Sequence, residues 1–132
     1  MKDIYFRHKH IEMRKSPIHG LGIFATANIS PGEVLEEVPF LPVPDGVLTN
    51  FIFRYPRNGT PGAENIPLEA AIPLGYACIY NHSNTPNAAW YTDIATKTFV
   101  FHTLSRIFKD QEIRTYYGDA SYWACFPEIK VL

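Results

Sequence analysis

Eleven prolines are spread through the 132 residues, and they constrain the fold more than any other feature of the sequence. A proline inside a helix removes a hydrogen bond and clashes with the preceding turn, so long helices are excluded over most of the chain. Short apolar runs bounded by turn residues are frequent instead. Because 46% of the residues are hydrophobic, the chain can bury a core. The sequence therefore predicts a mostly β fold with short helices, in a single domain over residues 1–132.

The strand candidates alternate with turns rich in glycine, proline and asparagine. The pattern predicts strands over residues 11–15, 20–26, 33–41, 88–91, 97–103 and 112–116. We expect the fourth and fifth of these to form a hairpin, and the third to end at Pro42 and Pro44. Residues 47–54 and 73–80 are predicted to be short helical turns, and residues 55–68 a loop.

Charge and composition exclude several functional classes. The net charge is -1, so nucleic-acid binding is not expected, because phosphate recognition usually requires an excess of basic residues. Residues 1–10 have no apolar signal-peptide core, and no segment of the sequence is suited to span a membrane. Two cysteines are too few for a four-cysteine zinc site and the histidines lack metal-binding spacing, so no metal is predicted. Residues 20–75 are acidic, which suits a cationic, lysine-bearing partner, although a solvated acidic face is the alternative.

Three clusters of residues are candidates for chemistry, and each has a plainer interpretation. Gly20, Leu21 and Gly22 leave backbone groups open to a ligand, or form a tight bend. Residues 81–87, NHSNTPN, carry dense polar groups after an uncharged stretch, or form an asparagine-rich turn. Residues 112–119, EIRTYYGD, bring aromatic side chains to a strand end, where they wall a channel or pack in the core.

Taken together, the order and spacing of these clusters resemble the SET-domain protein lysine methyltransferases. Residues 15–25, KSPIHGLGIFA, are similar to the opening motif of that family. Residues 81–87 match its N-H-S-x-x-P-N motif, and residues 112–118 resemble its closing E-[IL]-x-x-x-Y-[GD] motif. The resemblance covers about residues 11–124 and is closest to the minimal viral and bacterial members. It implies small curved sheets with a knot-like active site, a variable substrate-side loop at 55–68, and a short closing segment at 119–132.

The resemblance also implies the ligands and the residues that bind them. The cofactor is S-adenosylmethionine, the product is S-adenosylhomocysteine, and the substrate is a lysine in a protein or peptide such as a histone tail. Cofactor contacts fall to Gly20, Leu21, Gly22, Asn81, His82 and Trp123, with Asn81 meeting the amino group and His82 meeting the adenine through its backbone. The hydroxyl of Tyr117 lies beside the transferred methyl group. The substrate channel is assigned to Tyr80, Tyr122 and Phe51.

Other interpretations of function stay open beside this one. A SET-like domain without activity, serving as a binding or assembly module, is the alternative, and the presence of both Asn81 and Tyr117 argues against it. An unrelated small β domain would require three ordered motifs to coincide. The small size, the aromatic content and analogy with the minimal viral members lead us to expect a homodimer. We expect a cytoplasmic location in a bacterium, and a nuclear or host-nuclear one for a eukaryotic or viral protein.

Overall fold

The computed structural model describes residues 6–18, 20–43, 53–56, 68–93 and 95–116. Ten strands occur in these ranges: β1 Phe6–Arg7, β2 Ile11–Lys15, β3 Leu21–Ala25, β4 Val34–Val43, β5 Phe53–Pro56, β6 Leu68–Pro73, β7 Asn81–His82, β8 Ala88–Asp93, β9 Thr98–Thr103 and β10 Glu112–Thr115. Within the described ranges there is no helix, so the mostly β prediction is confirmed and the short helices are not among these residues. No helix long and apolar enough to cross a membrane occurs there either.

The strands form two sheets that share one core. The larger sheet has the order β5-β6-β4-β9-β8, and β1 pairs with β4 beside β6. The smaller sheet has the order β2-β3-β10-β7, in which β7 and β10 run parallel and the other pairs are antiparallel. Parallel neighbours need a crossover connection, so this sheet unites distant parts of the chain.

The predicted hairpin is confirmed, because β8 and β9 pair antiparallel from Ala88↔Thr103 to Asp93↔Thr98. The third strand was predicted to stop at Pro42 and Pro44: β4 continues past Pro42, where the prediction is wrong, and ends at Val43, directly before Pro44. Phe40 N donates to Lys97 O in the turn before β9, so the nitrogen of Pro42 points to the same side by alternation. The register with β9 stops at Pro39, and the donor that Pro42 lacks is therefore not needed for that pairing.

Two local predictions are corrected by the larger sheet. The ends of the predicted loop over 55–68 belong to β5 and β6, which pair antiparallel from Phe53↔Ala71 to Pro56↔Leu68, while residues 57–67 lie outside the described residues. The predicted helical turn over 47–54 overlaps β5 at its end. The turn predicted over 73–80 is present without a helix, and one bond from Ile79 N to Tyr76 O, 2.8 Å, closes it.

The core joins aromatic side chains of the larger sheet to aliphatic side chains of the smaller one. Phe99 stacks on Phe40 with ring centroids 4.8 Å apart, and Phe101 stacks on Tyr80 at 4.9 Å. Ile23 of β3 and Ile113 of β10 are fully buried in the same cluster. Burial of these side chains fixes the smaller sheet against the larger one, and with it the strands that carry the three sequence motifs.

Candidate active site

The three motifs of the sequence meet on three adjacent strands. β10 lies between β3, where Ile113 is opposite Ile23, and β7, where Arg114 is opposite Asn81. The parallel pairing places the second and third motifs side by side, in agreement with the resemblance. Residues beyond 116 lie outside the described residues, so the knot-like threading itself stays a prediction.

The side-chain amide of Asn81 is the centre of this junction. Its Nδ2 donates to Leu21 O at 3.1 Å and to Glu112 Oε2 at 2.7 Å. Both hydrogens of the amide nitrogen are therefore directed at Leu21 and Glu112, and Oδ1 is turned away from these two acceptors. Asn81 is half-buried, which leaves it within reach of a bound molecule.

Glu112 is a functional candidate that the sequence marked only as the first residue of a motif. Its side chain is 8% exposed and accepts from Asn81, and from Ser16 Oγ at 2.9 Å through Oε1. Ser16 Oγ also accepts from Ile18 N at 3.1 Å, which ties the loop before β3 to the same carboxylate. No local pattern marks this role, because the partners lie 31 and 96 positions away in the sequence.

The two glycines of the first motif have different roles. Gly20 has φ +46, and nothing lies within 4 Å of the position that a Cβ would occupy, so it serves the backbone turn. At Gly22 a Cβ would overlap Glu112 Oε2 and lie 3.1 Å from Asn81 Nδ2. The missing Cβ was expected to admit a ligand, but at Gly22 that space holds Glu112 and Asn81. The backbone of Leu21 contributes its carbonyl to the junction, while its side chain is exposed.

Residues 81–87 are held by local polar hydrogen bonds, and Asn81 among them also belongs to the junction. His82 is buried, and its Nε2 lies 2.9 Å from Asn84 Oδ1. Ser83 Oγ accepts from Thr85 N at 3.0 Å, so Ser83 and His82 are bonded to other partners and not to each other. The amide of Asn87 donates to Glu112 O at 3.0 Å and accepts from Arg114 N at 2.8 Å, which fixes β10.

Tyr80, predicted for the substrate channel, lies fully buried in the core. Its hydroxyl donates to Glu36 Oε1 at 3.1 Å. Burial, followed by the charge of Glu36, raises the pKa of this phenol well above its usual value. This placement gives the channel role no support, because a hydroxyl bonded to a core carboxylate is directed away from solvent.

Four other predicted site residues lie outside the described residues: Tyr117, Tyr122, Trp123 and Phe51. Tyr116 is the last residue of the chain that the structure describes. Its ring is exposed, and the ring centroid lies 5.4 Å from that of His82. β10 ends at Thr115, one residue before the end of the strand predicted over 112–116. Within the described ranges no group of three or more His, Cys, Asp or Glu side chains could hold a metal ion.

Solved structures share this arrangement of sheets. A Plasmodium falciparum protein assigned as a histone methyltransferase aligns with a TM-score of 0.66 and 26% identity, over 86% of this chain and 96% of that chain. The methyltransferase domain of human PR domain-containing protein 2 aligns with a TM-score of 0.63 and 13% identity, over 86% of this chain and 80% of that domain. The fold is therefore that of a methyltransferase domain.

The family follows from the sequence match. The SET-domain profile matches residues 20–118, a range that contains β3, β7 and β10. The chain belongs to the SET-domain family. A search of curated proteins finds no relative that matches.

Proposed function

We propose that this protein is a lysine N-methyltransferase that uses S-adenosylmethionine and acts on a protein substrate. Membership of the SET-domain family supports methyl transfer in general. Because the similar Plasmodium protein is assigned as a histone methyltransferase, a histone tail is one example of the protein substrate that we propose. The single observation that carries the proposal is the junction at which the side-chain amide of Asn81 is bonded to Leu21 O and to the carboxylate of Glu112 on adjoining strands.

The groups at this junction fit the amino acid end of the cofactor. An ammonium group donates hydrogen bonds, and we assign the backbone carbonyl of Leu21 and the side-chain amide of Asn81 as its acceptors at the junction. When bound, S-adenosylmethionine supplies the methyl group from its sulfonium and becomes S-adenosylhomocysteine. We assign its methionine part to the backbone at Gly20–Gly22 and to Asn81, and its adenine to the backbone of His82, with Trp123 lying over the cofactor.

The protein must also present the lysine amine in neutral form, because a protonated amine has no lone pair for attack. Free lysine has a pKa of about 10.4, and a second positive charge beside a sulfonium is disfavoured, which lowers that pKa. No strong base is needed at the reacting atom. Alignment of the two reactants can contribute about 7–11 kcal/mol to lowering the barrier. We assign the orienting hydroxyl to Tyr117.

A matched pair of variants tests the proposal. The protein is incubated with labelled S-adenosylmethionine and a proteome extract, and modified lysines are identified by mass spectrometry. Tyr117→Phe should lower turnover by a factor on the order of ten to a thousand, the loss of one positioned polar group, with cofactor affinity nearly intact. Tyr116→Phe is the control, since its ring is exposed beside His82, and it should change turnover much less.

Three outcomes would contradict this proposal in different ways. Cofactor binding by the wild type without labelling of any protein would favour the binding or assembly module instead. Labelling confined to residues other than lysine would remove the proposed substrate class. Greater damage from Tyr116→Phe would show that the closing motif was aligned one residue out of register.

The expected homodimer stays a prediction, and a monomeric mass by light scattering would contradict it.

A further inference from the structure

The carboxylate of Glu112 has no role in the proposed chemistry, yet it lies at the centre of the junction. It is 8% exposed, and it accepts from Asn81 Nδ2 at 2.7 Å and from Ser16 Oγ at 2.9 and 3.2 Å. Within the part of the chain that the structure describes, its side-chain partners are neutral donors. A carboxylate removed from water costs free energy unless its bonds are well made, so this site needs an explanation.

The geometry around Asn81 supplies that explanation. Its Nδ2 lies between two acceptors, Leu21 O at 3.1 Å and Glu112 Oε2 at 2.7 Å. A side-chain amide turned by half a rotation would place Oδ1 against both of these oxygens. That orientation loses two hydrogen bonds, one of them to a charged group, and adds repulsion between lone pairs. The amide is thereby fixed with its nitrogen toward Leu21 and Glu112 and its oxygen turned away from them.

We propose that Glu112 is the positioning residue that makes Asn81 an acceptor toward the amino group of the ligand, and that Ser16 holds Glu112 in place. This inference rests on the proposed function, because it takes the amino group to be that of S-adenosylmethionine or its product. Glu112 acts through Asn81 and does not touch the ligand. Gly22 belongs to the same device, since any Cβ there would displace the carboxylate.

The test compares two ligands that differ in one part. S-adenosylhomocysteine carries the amino group, and 5′-methylthioadenosine lacks the whole amino acid part. In Glu112→Gln the size is kept, but a glutamine amide can present either nitrogen or oxygen to Asn81, so the orientation is no longer fixed. By calorimetry, S-adenosylhomocysteine should bind about fivefold to thirtyfold more weakly, and 5′-methylthioadenosine should change by less than about twofold.

A double-mutant cycle separates positioning from a direct effect on the ligand. In an Asn81→Ala background, Glu112→Gln should cause no further loss of affinity for S-adenosylhomocysteine, because the residue through which it acts is gone. A loss that persists in that background would overturn the positioning role. Glu12→Gln is the matched control, an exposed glutamate on β2 paired with Arg14, and it should leave both affinities unchanged.

A milder variant guards against loss of the fold. Ser16→Ala removes one donor to Glu112 from a partly buried loop position, and it should weaken S-adenosylhomocysteine binding by about twofold to fivefold and spare 5′-methylthioadenosine. Equal weakening of both ligands in either variant, or no weakening in both, would overturn the inference. Failure of the wild type to bind either ligand would instead overturn the proposed function on which the inference rests.

Discussion

Two buried glutamates, Glu36 on β4 and Glu112 on β10, accept hydrogen bonds from the segment that leads from Gly75 into Asn81. Glu36 is 1% exposed and accepts from Tyr76 N at 2.9 Å and from Tyr80 at 3.1 Å. A glycine faces each carboxylate, and a Cβ at Gly75 would lie 2.5 Å from Glu36 Oε2, much as a Cβ at Gly22 would overlap Glu112. The two sheets thus use the same device, a carboxylate packed against a glycine, in two places.

The difference lies in what neutralises the two charges. Glu36 has a cation, Arg7 Nη2 at 3.4 Å, and the guanidinium of Arg7 lies 3.5 Å from the ring centroid of Tyr76. The described partners of Glu112 are an amide and a hydroxyl, which carry no charge. The negative charge of Glu36 is therefore balanced by Arg7 within the fold. The described partners of Glu112 leave its charge unbalanced, and the junction around it therefore suits a positively charged ligand. We expect changes near Glu36 to alter stability and changes near Glu112 to alter binding.

The largest effect should come from the two glycines. Gly75→Ala forces a side chain into left-handed backbone at φ +68 and against Glu36 and Val38, and should lower the free energy of unfolding by about 2–4 kcal/mol. Gly22→Ala should lower S-adenosylhomocysteine affinity on the order of tenfold to a hundredfold, because it displaces Glu112 and Asn81. Urea denaturation and calorimetry on both variants measure the two quantities. A larger loss of affinity in Gly75→Ala than in Gly22→Ala would break the comparison.

A smaller effect is expected from Tyr80→Phe. The variant keeps the stacked ring but removes the hydroxyl that donates to Glu36, and this should cost about 1–3 kcal/mol of stability. Cofactor affinity and turnover should stay near wild type. If turnover falls while the urea midpoint does not move, Tyr80 has a role in the substrate channel after all and the core assignment is wrong.

The smallest effect should appear as a change with pH. Burial raises the pKa of Glu36 above its ordinary 4.5, against the opposing effects of Tyr76, Tyr80 and Arg7. A raised pKa in the folded state means that the stabilising contribution is present below the unfolded pKa and is lost as pH rises through the folded pKa. Glu36→Gln cannot ionise, so its stability relative to wild type should rise across that window. Denaturation midpoints at a series of pH values measure it, and a constant difference would contradict the assignment.

Local patterns in the sequence predicted much of this architecture. Turn residues and short apolar runs located β2, β3, the β8–β9 hairpin and β10 to within a few residues. The motif at residues 81–87 located Asn81, which the structure brings to the junction. The β5–β6 pair and the continuation of β4 past Pro42 were missed, because a proline's lack of a donor matters only where a neighbouring strand needs that donor.

The carboxylates were missed for a different reason. Glutamate is seldom fully buried, so composition alone assigns Glu36 and Glu112 to the surface. What stabilises them inside is a set of donors that the chain supplies from positions 29 to 96 residues away. Such partners leave no periodic signal around the acid itself, and only pairing between distant strands reveals them.

The parallel pairing of β7 with β10 also determines when the junction can form as the chain folds. Hairpins such as β8–β9 close short loops early, whereas β10 must find both β3 and β7 at a large cost in chain entropy. We therefore expect Asn81 to gain its final orientation only late in folding, once the chain has collapsed through residue 115. A ligand that requires that orientation binds the finished molecule and not its precursors, and so it stabilises the last step of folding by mass action.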